Sequence, residues 1–275
     1  RSRERRPHRG LQGRLGEVLE RYAQWEVQEL SARGAGACRT DRQGSSSADR
    51  GAFVMDPRDM ALQALTPTVM VPRFGCFEPL SQPGHRFLVG QNGEWLEVRR
   101  AWMYARVQLT QPSPVVKPYG VVTACLEWLC PPIPLSLFER FAGIARESCP
   151  LEAAGWITWN EVSNQFAFRE VGVREASASR IHFDRPRLDE SEHLVVDLHS
   201  HGASSAFFSG TDDFDDRGEV KLSIVLGRCD QRVVTAQRFC LMGMFVPMQL
   251  ASAVDGLTFE PVPVERTRSM VDALV

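Results

Sequence analysis

The first half of the chain contains short apolar or alternating runs separated by proline and glycine, a pattern typical of β-strands joined by turns. The dipeptide Asn92-Gly93 lies between two of these runs and predicts a tight hairpin, because both residues accept positive φ angles. Residues 55–133 are therefore predicted to form an N-terminal β-rich region. The predicted strands cover residues 68–71, 86–89, 94–98 and 103–109.

Aromatic residues of this region could form either a recognition surface or part of a core. Their spacing along the predicted strands favours the core, because large aromatic side chains are more often buried than displayed. The residues concerned are Phe74, Phe77, Trp95, Trp102 and Tyr104.

Apolar positions change to helical spacing after Pro134. The segment Ser136-Leu137-Phe138-Glu139 has the composition of a capping box. A helix is predicted from there to about Glu147, and Pro150 should end it. The apolar positions at helical spacing are Phe138, Phe141, Ile144 and Ala145.

More strands and a second helix follow. The helix is predicted between Ser209 and Gly218. Strands interspersed with a few helices indicate an α/β or α+β domain over residues 134–250, and residues 251–275 are taken as a C-terminal extension. The predicted strands cover residues 154–159, 166–173, 193–201, 220–226 and 239–246.

Composition argues against several classes of function. The 275 residues carry a net charge of -2, so the whole chain has no long-range attraction for nucleic acid or an acidic membrane. No apolar run reaches the ~18 residues that a membrane-spanning helix needs. The seven cysteines form no C-x-x-C pair, which disfavours a disulfide framework or a thiolate zinc site and indicates a reducing, cytoplasmic setting.

The segment Arg1–Val54 differs from the rest of the chain. It holds 11 arginines and 7 acidic residues, and much of it is rich in glycine, serine and alanine. Such a composition predicts poor order, and a nucleic-acid-binding basic arm is disfavoured because the charges are mixed and aromatic residues are sparse. Because Met55 is the first methionine, the segment is also consistent with translated upstream sequence.

Candidate chemistry begins at the end of the strand predicted over residues 193–201. His199 and His201 alternate with Ser200, so both imidazoles point to one face of the strand. Ser209 and Asp212 complete the pattern H-x-H-x7-S-x2-D, and a helix starting near Ser209 would hold Asp212 in its first turn. Two imidazoles and one carboxylate are a three-ligand set for Zn²⁺ that leaves the fourth position for water, as a hydrolytic site requires.

Each part of this pattern also has an ordinary structural explanation. Ser209 and Asp212 fit a helix cap, and paired histidines at a strand end can bond to backbone or water. However, all four residues of the pattern would occur together at this fixed spacing by chance in only about one chain in two thousand, which favours the metal site. The neighbouring acids Asp213, Asp215 and Asp216 are predicted to be a solvated helix face, and Asp197 either orients a ligand or meets an arginine.

Hydrolysis also needs a carboxylate outside the metal ligands to accept a proton from water. Glu152 is a candidate because it lies between Pro150 and a predicted buried strand. Spacing alone does not exclude the other candidates, which are Glu147, Glu161 and Glu170.

The pattern resembles the JAMM (MPN+) family of metalloproteases, whose motif is a glutamate upstream of H-x-H-x7-S-x2-D. In that family the glutamate precedes a Gly-containing apolar strand, and residues 150–157 are similar, which selects Glu152. The resemblance implies a cytidine-deaminase-like α/β fold and hydrolysis of peptide or isopeptide bonds, often at the C-terminus of a ubiquitin-like protein. It also implies roles: His199, His201 and Asp212 bind zinc, Glu152 is the general acid/base, and Ser209 steadies the oxyanion.

Two positions depart from the common family pattern. Gly202 stands where many members have proline, and Ala153-Ala154 replace Cys-Gly after the glutamate. Together with residues 55–75, these variations are similar to members encoded in bacterial plasmid-associated PRTRC cassettes. Such cassettes also encode E1-like and ubiquitin-like proteins, so the resemblance implies a ubiquitin-like substrate and an E1-like partner.

Three other functions remain to be weighed. Nucleobase deamination is disfavoured because the chain lacks a P-C-x-x-C element. A serine hydrolase is disfavoured because the segment from Gly202 through Ser204 to Ala206 departs from the nucleophile-elbow pattern at its last position. The remaining alternative is a non-catalytic MPN-type scaffold that binds protein partners. The loop of residues 202–208 could gate the site if the side chains of Phe207 and Phe208 are exposed.

Overall fold

The structure is a computed structural model that describes residues 55–176, 181–253 and 255–262. The predictions for Arg1–Val54 and for most of the C-terminal extension lie outside these residues. None of the helices in the described ranges has the length and apolar composition needed to cross a bilayer.

The N-terminal region forms a five-stranded sheet with the strand order β1-β2-β3-β4-β5. The strands pair antiparallel except for β1, which runs parallel to β2. All four predicted strands are confirmed, whereas helix α1 (Pro57–Leu65) and strand β5 were not predicted. The strands are β1 (Thr68–Met70), β2 (Gly84–Gly90), β3 (Gly93–Arg100), β4 (Met103–Gln108) and β5 (Cys125–Trp128).

The predicted hairpin exists, but its turn differs from the prediction. Gly90 pairs with Gly93, so the two turn residues are Gln91 and Asn92. Of the predicted dipeptide only Gly93 has a positive φ angle, 122°. Asn92 instead fixes the turn through its side-chain amide. The amide donates to the carbonyl of Val122 at 2.7 Å and accepts from the backbone N–H of Val122 at 3.0 Å.

Helix α2 (Leu135–Ser148) confirms the helical spacing after residue 134, although the predicted capping box is wrong. Pro134 occupies the N-cap position, and no side chain caps the helix. Ser136 therefore lies inside the first turn, where its side chain is not at the N-cap position. Phe141 and Ala145 are fully buried, as the spacing predicts.

The second sheet has seven strands in the order β14-β13-β12-β11-β10-β6-β7. Only β10 and β11 run parallel, and the other neighbours are antiparallel. A two-stranded sheet of β8 and β9 stands beside it. The strands are β6 (Ala154–Asn160), β7 (Gln165–Glu170), β8 (Gly172–Ala176), β9 (Ile181–Asp184), β10 (Glu192–Ser200), β11 (Val220–Gly227), β12 (Val234–Leu241), β13 (Met244–Ser252) and β14 (Thr258–Pro261).

Two predicted strands are each divided in the structure. The strand predicted over residues 166–173 is split into β7 and β8 at Val171. The strand predicted over residues 239–246 is a hairpin, with Met242 and Gly243 at φ angles of 49° and 98° between β12 and β13. Apolar residues continue across the second break, so hydrophobicity gave no sign of that turn.

Helix α3 (Gly210–Asp216) confirms the helix predicted after Ser209. The whole arrangement is a mixed α+β fold, dominated by sheets, as expected from the sequence.

The two sheets share one hydrophobic core. Trp102 stacks on Trp128 with their ring centroids 5.7 Å apart, and both rings meet Phe239 of β12 edge-on. The indole N–H of Trp128 also donates to the carbonyl of Phe259 at 2.9 Å. The N-terminal sheet is therefore held against the second sheet by aromatic packing.

The prediction that the five aromatic residues are core is confirmed for three of them. Trp95, Trp102 and Tyr104 are buried. Phe77 is half-buried, and Arg86 lies over its ring at 5.4 Å. For Phe74 the prediction is wrong, since this side chain is 95% exposed in the segment that follows β1.

We expect Trp102→Ala to lower the free energy of unfolding by about 3–5 kcal/mol, because it opens a cavity between the two sheets. Urea unfolding followed by fluorescence measures the change. Phe74→Ala is the matched control and should leave stability unchanged, since its ring is exposed. Equal effects of the two substitutions would contradict a shared core.

Candidate metal centre

Both histidines are positioned by the central strand β10. This strand is hydrogen-bonded to β6 on one side and to β11 on the other, with His199 opposite Ala154 and Val225. His201 follows the strand, and its backbone N–H donates to the carbonyl of Leu226 at 2.8 Å. The two imidazole centroids lie 5.2 Å apart, so the structure brings the predicted pair together.

Asp212 reaches the histidines from the first turn of α3. Ser209 is the N-cap residue, and its hydroxyl accepts from the backbone N–H of Asp212 at 3.2 Å. The Oδ2 atom of Asp212 accepts in return from the N–H of Ser209 at 2.6 Å and from its hydroxyl at 2.7 Å. The other oxygen, Oδ1, lies 3.3 Å from Nε2 of His199. One carboxylate oxygen thus caps the helix while the other faces the histidines.

The three side chains have the dimensions of a metal site. One potential ligand atom from each of His199, His201 and Asp212 lies within 4.8 Å of the other two. Ligand atoms around a tetrahedral zinc ion are about 3.3 Å apart, so a small contraction would close the site. Nε2 of His199 is buried and has no hydrogen-bond partner, because its contact with Asp212 lacks hydrogen-bond alignment. A buried nitrogen lone pair without a partner fits a metal ligand.

The surroundings orient both imidazoles and favour the neutral form of His199. Burial lowers the pKa of His199, although the nearby carboxylates of Asp212 and Asp197 oppose this effect. Nδ1 of His201 lies 3.3 Å from the carbonyl oxygen of Ser205. Donation from Nδ1–H to this carbonyl leaves Nε2 of His201 unprotonated, which is the form that binds a metal.

Glu152 lies beside these residues, directly before β6. The backbone of Ala153 exchanges two hydrogen bonds with Ser200, at 2.8 and 2.9 Å, which fixes this end of β6 against the His-x-His segment. The Glu152 side chain is buried, at 8% relative exposure. Burial, and secondarily the charge of Asp212, raise the pKa of its carboxyl to about 7.

The three other candidate glutamates lie elsewhere. Glu147 is exposed in the last turn of α2, and Glu161 follows the opposite end of β6, near His193. Glu170 is on β7, where its carboxylate accepts from Arg140 at 2.6 Å. Position and burial therefore single out Glu152.

Close backbone contacts hold the loop of residues 202–208. Gly202 has a φ angle of 51°, and a Cβ atom there would lie 2.3 Å from the carbonyl oxygen of Pro150. A Cβ at Gly227 would likewise lie 2.3 Å from the backbone nitrogen of Ala206. The backbone N–H of Arg228 donates to the carbonyl of Ser204 at 2.7 Å. Glycine at these two positions lets neighbouring backbone segments approach closely, because it has no Cβ atom.

The two phenylalanines of this loop differ. Phe207 is 50% exposed, and its ring meets that of His201 edge-on at 4.5 Å. Phe208 is half-buried beneath the guanidinium of Arg238, 3.9 Å from its ring centroid. Only Phe207 therefore lies at the rim of the site.

The serine-hydrolase arrangement is not formed. Ser204 lies in the same loop, and α3 begins only at Gly210. A nucleophile elbow instead requires a strand, a sharp turn and a helix in immediate succession.

The prediction of a solvated acidic helix face is wrong for Asp216. This residue is buried and receives Lys221 at 2.8 Å and Arg238 at 2.7 Å. It lies one turn after Asp212, so it faces the sheet as Asp212 does. Asp213 also pairs with Arg238, whereas Asp215 is exposed as predicted.

Sequence reasoning missed Lys221. Its ammonium is buried and donates to Asp197 at 2.5 Å, so Asp197 meets a lysine where the prediction offered an arginine. Burial alone would lower the pKa of Lys221, but the carboxylates of Asp197 and Asp216 raise it above its usual value. A charged residue within an apolar strand was the available signal, because a buried lysine requires partners.

Comparison with known proteins agrees with this architecture. Residues 134–240 match a family model described as prokaryotic homologs of the JAB domain, and residues 56–129 match one described as a domain of unknown function, DUF2016. The solution structure of a protein from Desulfitobacterium hafniense aligns at 16% identity over 48% of this chain and 90% of that chain. Its TM-score is 0.26, too low to establish a shared fold. No curated protein matches the sequence.

The chain therefore contains a JAB domain, preceded by a β-rich region. The residues of the H-x-H-x7-S-x2-D pattern lie within the matched range of that domain, as does Glu152.

We expect Gly202→Ala to lower the free energy of unfolding by about 1–3 kcal/mol, because a side chain is strained at this φ angle and meets the carbonyl of Pro150. Thermal unfolding measures the loss. Gly210→Ala is the matched control, since no atom lies within 4 Å of the added Cβ. Equal stability of the two variants would contradict the close approach.

Ionisation of Glu152 should cost the metal-free protein stability as the pH rises from 4.5 towards 7. The lowered pKa of His199 acts in the opposite direction, so the effect is read as the difference between the wild type and Glu152→Gln. The folded pKa of Glu152 is about 7, against an ordinary value of 4.5. Between these values the carboxyl is ionised in the unfolded chain but still protonated in the folded one, so rising pH favours unfolding. Glu152→Gln should remove this loss, which amounts to roughly 3 kcal/mol. Urea unfolding in EDTA across this range tests it, and parallel curves for both proteins would contradict it.

Proposed function

We propose that the JAB domain of this chain is a zinc-dependent metallopeptidase. The observation that carries the proposal is the convergence of two imidazoles and one carboxylate, with a buried Nε2 of His199 that has no hydrogen-bond partner. Glu152 adds a buried carboxyl next to this set. An ordinary surface cluster would expose these groups to water.

His199, His201 and Asp212 would hold the zinc ion. When bound, zinc supplies a Lewis acid for the scissile carbonyl and lowers the pKa of a water molecule. The lowered pKa of His199 favours the neutral imidazole that a metal needs, and Asp212 would contribute the oxygen that does not cap the helix.

Glu152 would act as general base and then as general acid. A carboxyl with a pKa of about 7 can accept a proton from the attacking water and return it to the leaving amine. Its buried position next to the end of β10 keeps it close to the reacting atoms.

Ser209 would serve first to hold Asp212. Its hydroxyl hydrogen is donated to Oδ2 of Asp212. Stabilisation of the oxyanion, which the family resemblance implies for this serine, would require the hydroxyl to turn from Asp212 towards the substrate.

For the substrate we propose the C-terminal peptide or isopeptide bond of a ubiquitin-like protein. This part rests on the resemblance to the JAMM family, and within it to protein A of the PRTRC plasmid-associated cassettes. An E1-like protein encoded with it would be the second partner. The departures at Gly202 and Ala153-Ala154 change none of the proposed metal ligands.

A second candidate function is a scaffold that binds protein partners without cutting them. Helix α1 favours this candidate, because none of its residues is buried and Leu62 and Leu65, which are one turn apart on one face, are exposed. Exposed apolar residues that lie together are typical of interaction surfaces.

To separate the two, zinc content should be measured by mass spectrometry and cleavage assayed on a ubiquitin-like protein with a C-terminal extension. We expect one zinc ion per chain, which His199→Ala loses. Glu152→Gln should keep zinc but lose at least about 100-fold in turnover, because general acid–base catalysis is removed. Glu161→Gln, which alters an exposed carboxyl, is the matched control and should keep full activity.

Three results would contradict the peptidase. Zinc retained without cleavage by the wild-type protein would favour the scaffold. No zinc at all would remove the metal centre. Activity without zinc that only Ser204→Ala abolishes would favour a serine hydrolase.

A further inference from the structure

A buried layer of charged side chains lies next to the candidate metal ligands. Its centre is Lys221 of β11, whose side chain is 1% exposed. The ammonium Nζ lies 2.5 Å from Oδ2 of Asp197 and 2.8 Å from Oδ1 of Asp216. A buried ammonium between two carboxylates is an internal ion bridge.

This bridge joins the same two elements that carry the metal ligands. Asp197 precedes His199 by two residues on β10, so both side chains lie on one face of the strand. Asp216 follows Asp212 by four residues on α3, so both lie on one face of the helix. Lys221 therefore connects β10 to α3 next to the site in which His199 meets Asp212.

Arg238 of β12 extends the layer to the loop before α3. It donates to Oδ2 of Asp216 at 2.7 Å and pairs with Asp213. Its guanidinium carbon lies 3.9 Å from the ring centroids of both Phe208 and Phe245. The residues on either side of the segment from Ser209 to Asp212 are thus fixed by one side chain.

Helix α3 needs such anchoring. It has seven residues, and Asp216 is its one buried residue. Phe214, its large apolar residue, is 71% exposed. A helix of two turns is marginal on its own and is held in most proteins by an apolar face, which is missing here. Ion pairs take over that function.

We propose that Lys221 is a positioning residue for the metal centre. Its ammonium holds β10 and α3 at the separation that lets His199 and Asp212 reach one metal ion, and Arg238 fixes the same helix through Asp213 and Asp216. The inference rests on the proposed function only in assuming that this site takes a divalent metal.

If Lys221 acted on the metal site only through its positive charge, its removal would have the opposite effect on zinc binding. An ammonium near a cation site repels the cation, so Lys221→Met would tighten zinc binding if charge alone acted. If the ammonium positions the ligands, the same change weakens binding. The double variant Lys221→Met/Asp197→Asn removes one positive and one negative charge together, and therefore tests positioning with the net charge unchanged.

The matched control is Arg169→Met/Glu192→Gln. Arg169 of β7 donates to Glu192 at 2.7 Å, and Glu192 is the first residue of β10, at the end opposite to His199. This variant also breaks a partly buried ion pair on β10 and leaves the net charge unchanged. It should lower stability without reaching the metal ligands.

Zinc affinity is measured by competition with a chromophoric chelator, and thermal unfolding is measured in EDTA. We expect Lys221→Met/Asp197→Asn to bind zinc about tenfold more weakly, as is usual when groups behind metal ligands are removed. The control should bind zinc as the wild type does. Unchanged affinity in the Lys221 variant, or equal losses in both variants, would overturn the proposal.

Lys221→Arg keeps the positive charge but changes the geometry of the bridge, and it covers the case in which the double variant does not fold. It should weaken zinc binding to a smaller extent, and wild-type affinity would count against the proposal. Imidazole signals of isotope-labelled histidine in the metal-free protein give a second readout. The His199 signal should move in Lys221→Arg and stay in place in the control.

The two proposals can fail separately. A wild-type protein that binds no zinc refutes the metallopeptidase, and the His199 signal then still decides whether the bridge positions the ligand. A protein that binds zinc without cleaving any substrate refutes the peptidase and leaves the affinity test in force.

Discussion

The candidate site depends on the double pairing of strand β10. Hydrogen bonds to β6 on one side and to β11 on the other fix its end, so His199 and His201 emerge at a defined place. The same pairing carries Ala153, and therefore Glu152, to that end through the hydrogen bonds with Ser200. A strand at a sheet edge would leave this geometry open to register shifts, whereas a central strand does not.

Around this strand, burial shifts the pKa values of some groups, and other groups are paired as ions. Burial lowers the pKa of His199 and raises that of Glu152 to about 7. Next to these groups, the carboxylates of Asp197 and Asp216 are paired with Lys221 and Arg238. Buried groups without an ion-pair partner and buried ion pairs therefore lie only two residues apart along β10.

Much of the fold was predictable from the sequence because strand alternation and helical spacing are local signals. The five candidate site residues are predicted from the fixed spacing of one motif and from the family that it resembles. Local signals failed where apolar runs crossed a turn, as at Met242 and Gly243. They also failed for Asp216, because its burial depends on Lys221 and Arg238, which come from two other strands. Ion pairs between residues that are far apart in the chain produce no periodic pattern in the sequence.

The capping box of α3 bears on how the site would exchange its ion. Asp212 gives Oδ2 to the backbone and hydroxyl of Ser209 and keeps Oδ1 for the histidines. Since the two oxygens have separate tasks, losing the ion would not uncap the helix. The segment that bears the carboxylate would stay helical in an empty site, so binding of an ion would need only a small contraction of the ligand atoms.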